Sequence, residues 1–164
     1  MPTPTYTPLA TVTLGSAAAS VTFGSIPATY RDLIIVTDTL NSAGLENMKM
    51  RLNSDTSSSY NAVILRGNGL SAGSRTLGGT YAFIDDLAYG DATNRHNHII
   101  QFIDYSATNK HKTILSRANN VGLGNLDAIA IQWINTSAIT TIRLFYEVGN
   151  ITTGSRFDLY GIAS

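Results

Sequence analysis

Ala128-Ile129-Ala130-Ile131-Gln132-Trp133-Ile134 puts Ile129, Ile131 and Trp133 on one side of an extended chain and Ala130, Gln132 and Ile134 on the other. A period of two with the bulky set on one side marks a half-buried strand, because successive side chains of a strand leave opposite faces. The same alternation recurs outward from this segment. Met48, Met50 and Leu52 interleave with Lys49 and Arg51, and threonines alternate with aliphatics over residues 9–14 and 19–23. The chain closes on Arg156-Phe157-Asp158-Leu159-Tyr160-Gly161-Ile162. Further strands are expected over 30–40, 60–66, 81–84, 97–105, 112–118 and 141–148. Leu33-Ile34-Ile35-Val36 is continuously apolar, which predicts a central strand covered on both faces. Gly15-Ser16 predicts a turn pairing the first two strands, and Pro27 a turn within Ser25-Ile26-Pro27-Ala28-Thr29. The five glycines of 67–79 predict a mobile surface loop. Short strands at intervals of roughly 8–15 residues, with no sustained helical period, predict an all-β, two-sheet antiparallel β-sandwich of jelly-roll-like form.

At 164 residues the chain fits one domain and can bury a core without cross-links. Three of its four prolines lie in Met1-Pro2-Thr3-Pro4-Thr5-Tyr6-Thr7-Pro8, which favours extended backbone and blocks helix. Residues 1–8 are therefore expected to form an extended N-terminal arm and 9–164 a single sandwich domain. No apolar run is long enough for a transmembrane helix, and the N-terminus lacks the basic and apolar regions of a signal peptide. The 11 basic and 11 acidic residues cancel. A chain built to grip phosphates carries a basic excess, so nucleic acid is not expected as a partner, nor is a membrane. Net charge near zero removes one barrier to self-association.

Several residue groups bear on chemistry. The chain has no cysteine, which excludes disulfides, thiolate metal sites and cysteine nucleophiles. His96 and His98 stand two apart and share one face of a strand, but a metal site needs further ligands, and of the histidines only His111 remains. The pair is expected to be solvated at a strand start, with no metal. In Asn53-Ser54-Asp55-Thr56-Ser57 only Asp55 is charged, so a self-bonded turn is expected rather than a calcium loop. Asp85-Asp86 with Asp91 forms a local acidic group, but adjacent strand residues point apart. Paired carboxylate catalysis would need a partner such as Asp104 or Glu147. Gly69-Leu70-Ser71-Ala72-Gly73 has the Gly-x-Ser-x-Gly spacing, but no helical period follows it to build a strand-to-helix nucleophile elbow, and no Gly-rich phosphate loop with a following Lys occurs. Trp133, set among isoleucines, is expected in the core rather than stacked on a sugar. No catalytic, cofactor-binding or metal residue is assigned, and no enzyme is expected.

Four phrases taken together resemble small virion proteins of tailed bacteriophages. They are Ser25-Ile26-Pro27-Ala28-Thr29-Tyr30-Arg31-Asp32-Leu33, then Arg51-Leu52-Asn53-Ser54-Asp55 followed by Tyr60, then Trp133-Ile134-Asn135-Thr136-Ser137-Ala138-Ile139-Thr140, and finally Phe157-Asp158-Leu159-Tyr160-Gly161. The third is similar to a hairpin of that family, and the fourth to its terminal strand. The resemblance implies a virion location after synthesis in the host cytoplasm, and it brings no catalytic residues. A capsid decoration (cement) protein is then expected, forming a homo-oligomer (trimer or dimer) and binding the major capsid protein shell. The alternative is a tail or fibre-tip module that adheres to a host glycan.

Overall fold

The computed structural model describes residues 5–163. Twelve strands follow in chain order: β1 (Tyr6–Thr13), β2 (Ser20–Phe23), β3 (Asp32–Thr39), β4 (Lys49–Leu52), β5 (Tyr60–Gly67), β6 (Ala72–Gly79), β7 (Ala82–Phe83), β8 (His96–Ile103), β9 (Lys112–Asn120), β10 (Asn125–Trp133), β11 (Ile142–Phe145) and β12 (Arg156–Ile162). No helix occurs among the described residues. An eight-stranded sheet runs β1-β12-β3-β8-β9-β10-β5-β6, and a four-stranded sheet runs β2-β11-β4-β7. Neighbouring strands are antiparallel throughout. The chain passes repeatedly between the two layers, giving a two-sheet antiparallel sandwich with jelly-roll-like wrapping.

Alternation in the sequence becomes alternation of burial. In β10 Asp127, Ile129, Ile131 and Trp133 are buried while Leu126, Ala128, Ala130 and Gln132 are exposed. One cluster joins the inner faces of both sheets, with Ile35, Phe102, Ile114 and Trp133 from the large sheet meeting Met50, Ile142 and Leu144 from the small one. Burying each large side chain contributes about 1.5–3 kcal/mol, so the shared interior holds the layers together. The four-stranded sheet covers only the inner face of its larger partner. This corrects the expectation for Leu33-Ile34-Ile35-Val36: β3 is central in its sheet, yet Val36 points outward and is 38% exposed.

Other boundaries also differ from the sequence reading. The first two strands do not pair with each other, since β1 edges the large sheet and β2 edges the small one. Likewise Trp133 to Thr140 is no hairpin; it carries the chain from β10 across to β11 in the opposite layer. The glycine-rich stretch 67–79 contains β6, which pairs with β5 along its whole length. Its side chains are mostly exposed, as befits an edge strand without a second neighbour. Residues 1–4 of the expected arm lie outside the described residues. Tyr6, Thr7 and Pro8 are no free arm, because they pair with Ile162, Gly161 and Tyr160 of β12. Pro8 is tolerated there because β1 is an edge strand, and the register shifts between Pro8 and Ala10.

The four sequence phrases turn out to be joints. Asn53, at φ 50°, accepts hydrogen bonds through Oδ1 from the Thr140 and Thr141 amides and donates through Nδ2 to the Ala138 carbonyl. Asp55 accepts from the Ser57 amide, the Ser59 hydroxyl and Trp133 Nε1, the last at 2.7 Å. The second and third phrases therefore clasp each other, and of the self-bonded turn expected at Asn53–Asp55 only the Asp55 half forms, because the Asn53 side chain is spent on residues 138–141. The first and fourth also meet. A Cβ at Gly161 would fall into the Tyr30 ring, so only glycine lets that ring lie on β12. Tyr105 donates its hydroxyl proton to the Pro27 carbonyl and fixes the turn.

Candidate functional site

One end of the sandwich interior is polar. Along β3 the inward positions pass from Leu33 and Ile35 to Thr37 and Thr39. Along β8, read backwards, they pass from Phe102 and Ile100 to His98 and His96. Along β9 they end in Asn120, and along β10 they begin with Asn125 and Asp127. The segment 84–95 between β7 and β8 enters this end and buries Asp85, Asp86 and Asp91. An irregular segment inside a protein must have its backbone satisfied by side chains, and the facing strands supply them. Ser116 donates to the Ile84 carbonyl, Asn125 to that of Leu87 and Asn120 to that of Tyr89. Asp127 accepts from the amides of Asp86 and Ala88 at 2.6 and 2.9 Å.

At the centre His96 and His98 converge on Asp85. Their Nε2 atoms stand 3.1 and 2.9 Å from the same oxygen, Asp85 Oδ2, and all three side chains are fully enclosed. Asp85 also accepts from the Met48 amide and from Asn47 Nδ2. The outer nitrogens are held too. His98 Nδ1 lies 2.8 Å from the Thr37 hydroxyl, and His96 Nδ1 lies 3.1 Å from the Tyr146 hydroxyl. Burial alone would raise the Asp85 carboxyl, but the two imidazoles beside it outweigh burial and hold it at about 2. Burial pushes the His98 imidazole down to about 4, helped by repulsion from His96 and opposed by Asp85. Burial raises the Tyr146 phenol far above its ordinary range.

The histidines are therefore not solvated, contrary to expectation. The sequence held a signal for this: 96 and 98 are in phase with Ile100 and Phe102, so the pair belongs to the core-facing side. Asp85 supplies the further ligand type that a count of histidines alone had missed. His111 is exposed in the turn before β9. Asp85 and Asp86 do point apart, as expected, with Asp86 paired to Arg66 at 2.5 Å and to Arg75. Asp104 pairs with Lys110, and Glu147 with Lys49 and Tyr81, so neither faces Asp85. Lys49 is a second departure: expected on the wet side of its strand, it is 4% exposed and held by Glu46 and Glu147. Trp133 is fully buried, as expected.

The outer face of the eight-stranded sheet is the other notable surface. Val63, Leu65, Ile99 and Leu126 stand out from it, with Leu65 and Leu126 more than three-fifths exposed. Between them β10 presents only Ala128 and Ala130, so the short side chains leave depressions along the strand. One of about 560 Å³ is lined by Leu65, Ile99, Arg117, Leu126 and Ala128. Another, of about 590 Å³, is lined by Asn61, Val63, Thr76, Thr113, Ala130 and Gln132.

No family model matches the chain, and no curated protein matches it. Solved structures similar to it include an exo-inulinase from Aspergillus awamori, at 14% identity and a TM-score of 0.47, over 96% of this chain and 29% of that one. The chain thus spans less than a third of that enzyme's length. The galectin LEC-6 of Caenorhabditis elegans is similar at 9% identity and a TM-score of 0.36, over 91% of this chain and 94% of the galectin. The alginate lyase Aly36B follows at 7% identity and a TM-score of 0.32, over 93% of this chain and 80% of that one.

Proposed function

We propose that this chain is a non-enzymatic structural protein of a phage virion, a decoration protein that self-associates and docks on the capsid shell. The observation that supports the reading is the outer face of the large sheet. It is broad, bears Val63, Leu65, Ile99 and Leu126, and among the described residues has no second layer over it. Faces of this kind mark association surfaces. The enclosed Asp85, His96 and His98 offer no open cleft to a substrate, which fits a role without catalysis. The four phrases that resemble virion proteins serve here as joints of the sandwich, which suits a scaffold rather than a reaction. The test is binding of the purified chain to capsid shells that lack it, followed by imaging of the decorated shells. Saturable binding at regular positions is expected; a chain that leaves shells bare and labels tails instead overturns the decoration role.

A second reading, adhesion to a host glycan, is favoured by the polar row Thr113, Gln132 and Asn61, which registers across β9, β10 and β5 beside the 590 Å³ depression. No aromatic side chain lines that depression, and sugar stacking would want one. A glycan array separates the readings.

A further inference from the structure

The geometry points to a divalent transition-metal site, best suited to Zn²⁺, formed by Asp85, His96 and His98. It does not rest on the virion reading. Three ligand atoms, one from each residue, lie within 4.8 Å of one another. The two imidazoles come from alternate positions of β8 and so point the same way, while the carboxylate comes from the inserted segment 84–95. Two nitrogens and one oxygen form a common protein donor set for zinc, leaving a fourth position for water.

A second observation singles out the space between these atoms. His96 Nε2 is wholly buried and makes no hydrogen bond, although Asp85 Oδ2 is 3.1 Å away; the nitrogen is close to the oxygen but out of line for donating to it. A wholly buried nitrogen with no partner, within 4.8 Å of two other ligand atoms, is what a cation would use. The outer nitrogens agree. His98 Nδ1 against Thr37 and His96 Nδ1 against Tyr146 fix both rings with Nε2 inward, as second-layer partners do around metal-bound histidines. With an ion bound, each Nε2 carries metal in place of any proton, and each Nδ1–H donates to its hydroxyl oxygen. Bonds of 2.0–2.1 Å in a tetrahedron separate ligand atoms by about 3.3 Å. The present 2.9 and 3.1 Å separations from Asp85 Oδ2 therefore need to open by only a few tenths of an ångström.

The three residues are sealed from solvent, so the ion enters during folding and then exchanges slowly. Its effect is to pin the 84–95 segment to β8. The experiment unfolds the full chain in denaturant with chelator, then refolds it with Zn²⁺, with Co²⁺ or without metal. Expected after gel filtration are one ion per chain, a raised thermal midpoint over the metal-free sample, and for Co²⁺ the visible absorption of a four- or five-coordinate ion. The exposed control His111→Ala keeps all three readouts, whereas His96→Gln and His98→Gln each lower metal affinity at least 100-fold. If those variants fail to fold, X-ray absorption on the zinc-refolded native chain decides: two imidazoles with oxygen at about 2.0 Å support the site. Refolded native chain holding less than a tenth of an ion, an oxygen-only coordination shell, or binding abolished by His111→Ala would overturn it.

Discussion

Asp55 illustrates how much one side chain can hold. It takes hydrogen bonds from Ser57, Ser59 and the indole of a fully buried tryptophan, and these bonds hold its carboxyl well below the ordinary range against the opposing effect of burial. Asp55→Ala leaves the Trp133 N–H inside the protein without an acceptor, which costs about 1–3 kcal/mol. Urea unfolding should show that loss with an unchanged slope; an unaltered midpoint would mean that water replaces the carboxylate. Asp91 gives the pH counterpart. Burial would raise it, but the amides of Asn94 and Thr93 and the side chain of Asn120 hold it at about 2. A carboxyl depressed by folding adds stability above its unfolded value and loses it as the pH falls through the folded one. Thermal midpoints should therefore drop between about pH 3.8 and pH 2. The drop should be shallower in Asp91→Asn, and equal slopes in the two proteins would remove Asp91 from the account.

At the scale of elements, β12 matches its sequence boundaries, and β8, β9 and β10 match within three residues; in these last three, alternation of burial is long and unbroken. What alternation cannot state is which sheet a strand joins. Residues 9–14 and 19–23 are well patterned on either side of a good turn, yet they enter different layers, since pairing is settled by distant partners such as β12 for β1. In β6 the glycines hid a strand whose side chains are mostly exposed and whose register comes from β5. The buried triad was half legible. Phase places both histidines inward, but Asp85 reaches them from an irregular segment that no periodicity describes. The N-terminus yields a prediction of its own. Deleting residues 1–8 strips Tyr6, Thr7 and Pro8 from β1 and bares the edge of β12 from Tyr160 to Ile162. The truncated chain should melt at a lower temperature, rather than merely lose an appendage. An unchanged midpoint would show that this half of β1 contributes nothing to the sandwich.

For the whole molecule, the two faces of the large sheet divide the labour. The inner face builds the core, and the outer face carries apolar groups that the fold does not need. A specific interface takes about 800 Å² from each partner, roughly a tenth of the 7760 Å² surface of this chain. A face several strands wide can supply that area. Zero formal net charge leaves little general repulsion between copies. If this face makes the assembly, Leu65→Glu should act on association and not on folding. Leu65 already stands in water, so exchanging it changes stability by about 0.5 kcal/mol or less. In an assembly the same carboxylate would be stripped of water against the partner's apolar surface, which is strongly unfavourable. Light scattering should give a dimer or trimer for the native chain and a monomer for Leu65→Glu, with matching thermal midpoints measured at high dilution. Leu70→Glu is the control, since Leu70 is 96% exposed in the β5–β6 turn, off this face, and should leave the oligomer intact. A Leu65→Glu chain that assembles and decorates shells as the native one does would move the interface elsewhere. The unpaired edges at β1 and β6 would then be the next surfaces to alter, because an exposed strand edge can accept a strand from another copy.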